Sequence, residues 1–454
     1  MIELLRRAAD RDPEAVAVIA ESGTWTYGRL AEEAQALACG LSAAGIDRFA
    51  VVSNDIPLVV ALLAAGSLVG AEACTYAPDI SPEEMDRQTA TFGHDVVVSD
   101  RTDLGERKAT VVPASELRTA GTAIDVLPER RPLMVLTTGS TGRPKGVRHD
   151  WTRQLARMAN ARDGAGQVWL LAYGPQQFAG LQVLIHVLGT GATLVAPSIR
   201  RPQAVVDLIH DHRVTHISAT PTFWRFMLAE LRADEHPLPE LVQITLGGEA
   251  APGGLLEELH ETWPDARISH IYAGSEFGST GSVRDGVDGL PASLLEEHEG
   301  AEVSLRIVDE ELWVRSSSGM LGYYGEDDRP AGEWWPTGDL VEVVGDRIEF
   351  RGRKTDVINV GGVKVHPLPV ENRITAVPGV RAARVYGRAN ALVGTVVAVD
   401  VVPASGADEQ ALKAAVRSAC ADLPRPWQPR SVRVVPELAM KENKVLRGAA
   451  DSGS

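Results

Sequence analysis

A chain of 454 residues is too long for one ordinary hydrophobic core and predicts at least two domains. Its 44% hydrophobic and 23% charged residues describe a globular protein rather than a fibrous or disordered one. A formal charge of -16 argues against a nucleic-acid partner, which would need basic patches, but leaves open small anionic ligands that respond to local charge.

In chain order, apolar residues from Ile2 to Ala9 recur at helical spacing. A second helix follows from Gly28 to Leu41, with Leu30, Ala34, Leu37 and Leu41 on one face and Gly45 ending it. A short strand at Phe49 to Val52 precedes the most apolar run, Leu58 to Ala71. That run falls short of the roughly 20 residues of a membrane span and predicts a buried helix. Strands at Val96 to Val98 and Thr110 to Val112 continue the alternation. So do helix Gln203 to His212 with strand Thr215 to Ala219, and helix Gly254 to Glu261 with strand Ile268 to Tyr272. The rhythm predicts βαβ units and a largely parallel sheet. His210 and His212, near the end of a helix and without a third ligand close in sequence, read as solvated partners of the helix dipole rather than metal ligands. From Ala301 the texture changes to short strands at 303–307, 311–315, 340–344 and 348–350, with charged turns that predict antiparallel hairpins. After Arg353 a compact α+β unit is expected, with helices at 368–375 and 409–421 and strands at 383–386 and 395–401. The fold class is therefore α/β, with a large N-terminal domain over residues 1–352 and a small C-terminal domain over 353–454. Cys39, Cys74 and Cys420 lie far apart, without metal-ligand spacing. They predict small packed residues in a reducing, cytoplasmic setting, and no signal peptide is visible.

The densest chemical signal is Thr137-Thr138-Gly139-Ser140-Thr141-Gly142-Arg143-Pro144-Lys145-Gly146, entered from the apolar strand Leu133 to Leu136. Glycines let several backbone N–H groups converge on one anion, the hydroxyls add donors, and Lys145 adds a full positive charge. The inventory suits a polyphosphate. It departs from the ordinary P-loop, because Pro144 and Gly146 flank the lysine and discourage a following helix. A Gly/Ser/Thr surface loop would account for the composition but not for the ordered string.

The string resembles the phosphate loop of the adenylate-forming superfamily of acyl- and aryl-CoA synthetases, adenylation domains and luciferases. Five further segments agree with it. Tyr272-Ala273-Gly274-Ser275-Glu276 is similar to the family's YGxTE motif, and the resemblance implies Tyr272 and Ala273 against adenine, Ser275 on phosphate and Glu276 on Mg²⁺. Gly247-Gly248-Glu249-Ala250 matches a glycine turn that approaches adenine and the acyl substrate. For Glu249 three roles stay open: the adenine amino group, the acid pocket, or plain solvation. Thr337-Gly338-Asp339-Leu340 resembles the TGDL motif, whose aspartate accepts from the two ribose hydroxyls. Gly352-Arg353-Lys354-Thr355-Asp356 resembles the family's interdomain hinge, here near 353–356, with Thr355 where Asp or Lys is usual. Beyond it, Gly361 and Gly362 would form the loop that serves the second half-reaction. Finally, Lys444 takes the position of the catalytic lysine, behind Asn443 in place of glycine, with Lys441 as the rival. The resemblance implies ATP, Mg²⁺ and a CoA or phosphopantetheine thiol as reactants. Acid activation to acyl-AMP would be followed by transfer to CoA, with a carrier protein or an amine as the alternative acceptor. A non-catalytic adenylate-binding protein is the reading from another class, and the presence together of Lys145, Glu276, Asp339 and Lys444 argues against it.

The acid pocket is expected around Tyr173, Gln177, Phe178, Thr222, Phe223 and Gly247. The stretch Ala172 to Gly180 contains no carboxylate to pair with an ammonium, which disfavours an α-amino acid because an unpaired buried charge is costly. Flat and hydrogen-bonding side chains point to an aromatic or short polar acid.

Overall fold

The computed structural model describes residues 1–121, 124, 126–138, 144–233, 237–298, 300–330, 332–390, 394–404, 406–441 and 444–445, with the backbone alone at 138, 440, 441, 444 and 445. Two large sheets organise the chain as far as Tyr323. The eight-stranded sheet runs, in spatial order, Gly278–Val283, Arg267–Gly274, Gln243–Gly247, His216–Ala219, Val168–Leu171, Thr193–Val195, Val16–Ala20 and Gly23–Thr26. Its six inner strands are parallel, and an antiparallel strand closes each edge. The seven-stranded sheet runs Gly322–Tyr323, Pro144–Asp150, Pro132–Thr138, Glu72–Thr75, Arg48–Val52, Val96–Ser99 and Thr110–Pro113. Its last five strands are parallel, and the first two are antiparallel additions. Inner strands such as Phe49 to Val52 are apolar at every position because helices cover both faces of the sheet.

The apolar run expected as a buried helix is one, over Ile56–Val69, two residues earlier than its sequence bounds. It stops where Gly70 takes a left-handed conformation at φ 76°, which a residue with a Cβ adopts only at a cost. A helix apolar on every side must be buried all round. This one is buried from Ile56 to Leu68, inside a core that also holds Val18 of one large sheet and Phe49 and Leu133 of the other. Among the described residues no helix is long and apolar enough to cross a membrane.

A five-stranded antiparallel sheet follows, in the order Leu290–Pro291, Arg347–Arg353, Trp334–Val344, Glu311–Ser316 and Val303–Val308. The strand expected from Leu340 starts at Trp334, so the segment 337–340 lies inside it. Pairing jumps from Trp313↔Pro336 to Glu311↔Leu340, which leaves a bulge at the motif, and Gly338 supplies the turn with φ 75°. The bulge leaves Asp339 unpaired on the side of Glu311–Ser316, while on its other side it stays in register opposite Arg353.

The chain ends as the expected α+β unit. Strands Val380–Asn390, Gly394–Pro403 and Ser431–Val434 form a three-stranded sheet, backed by helices Pro367–Thr375 and Glu409–Ala419. Val385, Val397, Val399 and Val401 meet Val370, Ile374, Leu412 and Val416 in its core. Ala382, Val402 and Leu438 pack with Phe226 of helix Pro221–Ala233, and the Arg381 guanidinium lies 4.7 Å over the Phe226 ring. The last sheet is thereby seated on the larger body. The three cysteines are free; Cys74 and Cys420 are buried and Cys39 half-buried.

Candidate active site

Strands Pro132–Thr138 and Pro144–Asp150 pair antiparallel from Pro132↔Asp150 out to Thr138↔Pro144. The expected phosphate loop is the connection between them. Gly139, Ser140, Thr141 and Gly142 lie outside the described residues, as does the side chain of Thr138. Thr137 stands opposite Lys145, and the exposed Lys145 ammonium sits 4.8 Å from the ring centroid of Tyr323.

Ser275 and Glu276 occupy the turn between strands Arg267–Gly274 and Gly278–Val283, at the C-terminal edge of the parallel strands, where α/β sheets place ligands. Tyr323 donates to Glu276 Oε1 at 3.1 Å. Tyr272, two residues before the end of the same strand, donates to Asp339 Oδ2 at 2.7 Å. Its ring packs against Phe350 and Phe277 at centroid distances of 4.9 and 5.4 Å. Asp339 Oδ1 pairs with Arg353 Nε at 2.8 Å, and the two residues are direct cross-strand partners. Arg353 also donates to the Thr337 carbonyl at 3.1 Å. Burial lifts the Asp339 carboxyl above the usual carboxylate range, against the opposing pull of Arg353 and Tyr272. Beneath the motif, Glu311 accepts from Gly338 N–H at 2.9 Å and from Lys354 at 3.1 Å, which holds the bulge in place. Residues 272, 339 and 353, from three separate motifs, thus form one hydrogen-bonded chain.

At the expected acid pocket, the buried Tyr173 donates to the Gly247 carbonyl at 3.1 Å. A Cβ on Gly247 would stand 3.3 Å from that hydroxyl, so a glycine lets the two strand ends approach. Gly248 next to it turns the chain at φ 81°. Glu249 Oε2 accepts from Thr222 N–H at 3.1 Å and from Thr222 Oγ1 at 2.7 Å, which pins the glycine turn to the start of helix Pro221–Ala233. Phe223 is 1% exposed in the core below, edge-on to Trp224. Gln177 turns back on its own loop and accepts from Gly174 N–H at 2.8 Å. Ala250 and Ala251 line an open pocket of about 200 Å³ together with Phe350, Arg351, Leu368 and Pro369. Gly361 and Gly362 form the two-residue turn of the hairpin Ile358–Val360/Val363–Val365, both with positive φ, and a Cβ on either would meet nothing within 4 Å. Lys444 lies on a two-residue strand opposite Lys441, beside helix Pro221–Ala233.

Two aromatic partners escaped the sequence reading. Tyr323 belongs to a strand of only two residues, too short to show a period; its one signal is the doublet Tyr323-Tyr324 after Gly322. His149 stacks on Phe178 at 5.3 Å with an interplanar angle of 23°. Its Nδ1 faces Gln154 Nε2 at 3.1 Å, and its Nε2 has no partner among the described residues. Burial lowers its pKa from 6.5 to about 3. The unfolded chain therefore takes up a proton near pH 6.5 that the folded chain refuses until about pH 3, and stability falls as pH drops through that window. A His149→Leu variant is expected to lose about 2 kcal/mol less stability than the parent between pH 7 and pH 5 in urea unfolding. Equal losses in the two proteins would show that His149 is not held neutral.

The AMP-binding enzyme family matches residues 5–324, and the AMP-binding enzyme C-terminal domain matches residues 369–444. The chain is 27% identical to a 2-succinylbenzoate–CoA ligase of Bacillus velezensis, over 98% of this chain and 96% of the relative. It is 28% identical to a fatty acid–[acyl-carrier-protein] ligase, ScoC, of Streptomyces coeruleorubidus, over 88% and 85% of the two chains. The crystal structure of the anthranilate CoA ligase AuaEII with anthranoyl-AMP has the same fold, with a TM-score of 0.83 at 18% identity over 98% and 95% of the chains.

Proposed function

Because the chain belongs to the AMP-binding enzyme family, we propose that it is an acid–thiol ligase that uses ATP and Mg²⁺ to activate an aromatic or short polar carboxylic acid and passes the acyl group to CoA. The observation that carries this reading is the Tyr272–Asp339–Arg353 chain. An ionised carboxylate offers about four acceptor positions, and Tyr272 and Arg353 occupy one on each oxygen. The remaining position on each oxygen faces the two hydroxyls of a ribose. Tyr272, held by that bond and by Phe350, presents its ring to adenine.

Glu276 would hold the magnesium ion: it is a carboxylate oxygen donor of the kind a hard cation takes, with Oε1 steadied by Tyr323. The ion, when bound, neutralises part of the triphosphate charge. The carboxylate of the acid attacks the α-phosphorus, the bond to the β-phosphate oxygen breaks, and acyl-AMP and pyrophosphate result. Lys444 offsets charge on the α-phosphate and the attacking carboxylate, assisted by Arg353, while Lys145 and the 137–142 loop hold the departing pyrophosphate. Rotation about residues 353–356 then brings Gly361 and Gly362 to the site, and the CoA thiolate attacks the acyl carbon and expels AMP.

For the acid, the stretch Ala172 to Gly180 supplies the aromatic Tyr173 and Phe178, the latter stacked on His149, and no carboxylate of its own, while the nearby Glu249 is already engaged by Thr222. A carrier-protein thiol is the second acceptor to consider, on the strength of the carrier-protein relative. Exchange of labelled pyrophosphate into ATP across an acid library, repeated with product analysis with and without CoA, tests the reading. Exchange with aryl acids and acyl-CoA formation are expected. Exchange confined to α-amino acids would overturn the acid class, and ATP binding without exchange for any acid would replace the enzyme with a binding protein.

A further inference from the structure

Lys145 and Glu276 carry opposite charges and share one neighbour, yet no ion pair joins them among the described residues. The neighbour is Tyr323. Its hydroxyl donates to Glu276 Oε1 at 3.1 Å, and its ring receives the Lys145 ammonium at 4.8 Å from the centroid. The backbone enforces this double contact. Tyr323 stands opposite Val147 in the register, so Lys145, two residues along the same strand face, is its diagonal neighbour. Leu321 N–H donates to the Arg148 carbonyl at 2.7 Å and Tyr324 N–H to the Gly146 carbonyl at 2.8 Å, fixing the segment to the lysine strand. Met320 N–H donates to the Glu276 carbonyl at 2.9 Å, fixing the same segment to the glutamate turn. Trp335 backs the ring edge-on at 5.8 Å. One short strap thus sews the ends of the two large sheets together, and Tyr323 projects at the seam.

We propose that Tyr323 is a positioning residue that leaves Glu276 Oε2 free for the divalent cation and keeps Lys145 from pairing with that carboxylate. The proposal rests on the reading that magnesium–ATP occupies this site. A carboxylate neutralised by a lysine is a poorer ligand for a hard cation, and a lysine so neutralised is a poorer partner for pyrophosphate. A phenol serves both residues without joining them: it donates to the anion through oxygen and attracts the cation through its ring. Because the strap is bonded in place before any ligand arrives, the geometry is preorganised.

The test is equilibrium binding of a non-hydrolysable ATP analogue to the full chain, followed by calorimetry while Mg²⁺ is titrated. Tyr323→Phe keeps the ring and loses the bond to Glu276. Its Mg²⁺ midpoint is expected to rise about tenfold, the effect of losing one hydrogen bond to a charged group. Its magnesium-free affinity for AMP and its melting temperature should match the parent. Tyr323→Leu, which also removes the seat of Lys145, should raise the midpoint further. A parent-like midpoint in Tyr323→Phe overturns the proposal, and so does an equal weakening of magnesium-free AMP binding, which a merely structural tyrosine would produce. Analogue binding by the parent that ignores Mg²⁺ overturns both the proposal and its metal premise. Absence of pyrophosphate exchange with Mg²⁺-dependent binding intact sinks only the reading of the reaction.

Discussion

Lys444→Ala is expected to slow pyrophosphate exchange by at least about a hundredfold, the scale of removing one donor aimed at developing transition-state charge. During attack the α-phosphate gains charge while the incoming carboxylate still carries its own, and a single ammonium between them offsets both. Thioester formation from supplied acyl-AMP has no such requirement, because there the charge of the thiolate passes to the acyl carbonyl oxygen and leaves with AMP, with no second anion brought against the phosphate. That half-reaction should keep the parent rate within about threefold, so the split between the halves is the diagnostic. Lys441 faces Lys444 across the short hairpin. If Lys441→Ala shows the selective loss and Lys444→Ala does not, the catalytic role moves across the hairpin. If both half-reactions fall together in Lys444→Ala, the residue serves the fold rather than the chemistry.

Asp339→Ala should lower kcat/KM for ATP by about a hundred- to a thousandfold, since two hydrogen bonds from ribose to a charged group are lost at once. The cost has a second part. Asp339 is the partner of both Tyr272 and Arg353, and its removal takes the acceptor from the phenol and leaves the guanidinium with its bond to the Thr337 carbonyl. Comparing ATP with 2′-deoxy-ATP separates the two parts. The parent should prefer ATP, and the variant should treat both nucleotides alike because the group that reads the hydroxyl is gone. Tyr272→Phe, which spares the carboxylate, should weaken ATP but retain the preference. An Asp339→Ala enzyme that still discriminates would place ribose recognition elsewhere.

The parts of the site legible in the sequence were those written as local strings. The apolar entry Leu133 to Leu136, the glycine turn at 247–248 and the segment at 337–340 each combine a short-range period with residues of a definite chemistry. The buried helix at 56–69 was legible for a similar reason, since an apolar run broken by glycine needs no knowledge of its surroundings. Tyr323, His149 and the Glu249–Thr222 clamp were not legible, because each acts through a partner distant in sequence. Tyr323 lies 47 residues from Glu276, and Glu249 lies 27 from Thr222. The register that joins them is set by sheet pairing, and a two-residue strand such as Gly322–Tyr323 carries no alternation to announce it. The start of strand Trp334–Val344 was hidden by the bulge at Gly338, which breaks the period just before Asp339.

The most direct measurement is the fate of the oxygen atoms of the acid. The substrate is prepared with a heavy-oxygen-labelled carboxylate and turned over with ATP, Mg²⁺ and CoA, and the products are examined by mass spectrometry. Attack of the carboxylate on the α-phosphorus, followed by thiolate attack on the acyl carbon, leaves one labelled oxygen on AMP and none on pyrophosphate. Label in inorganic phosphate accompanied by ADP would mean attack at the γ-phosphorus through an acyl phosphate, and would contradict the account at its centre.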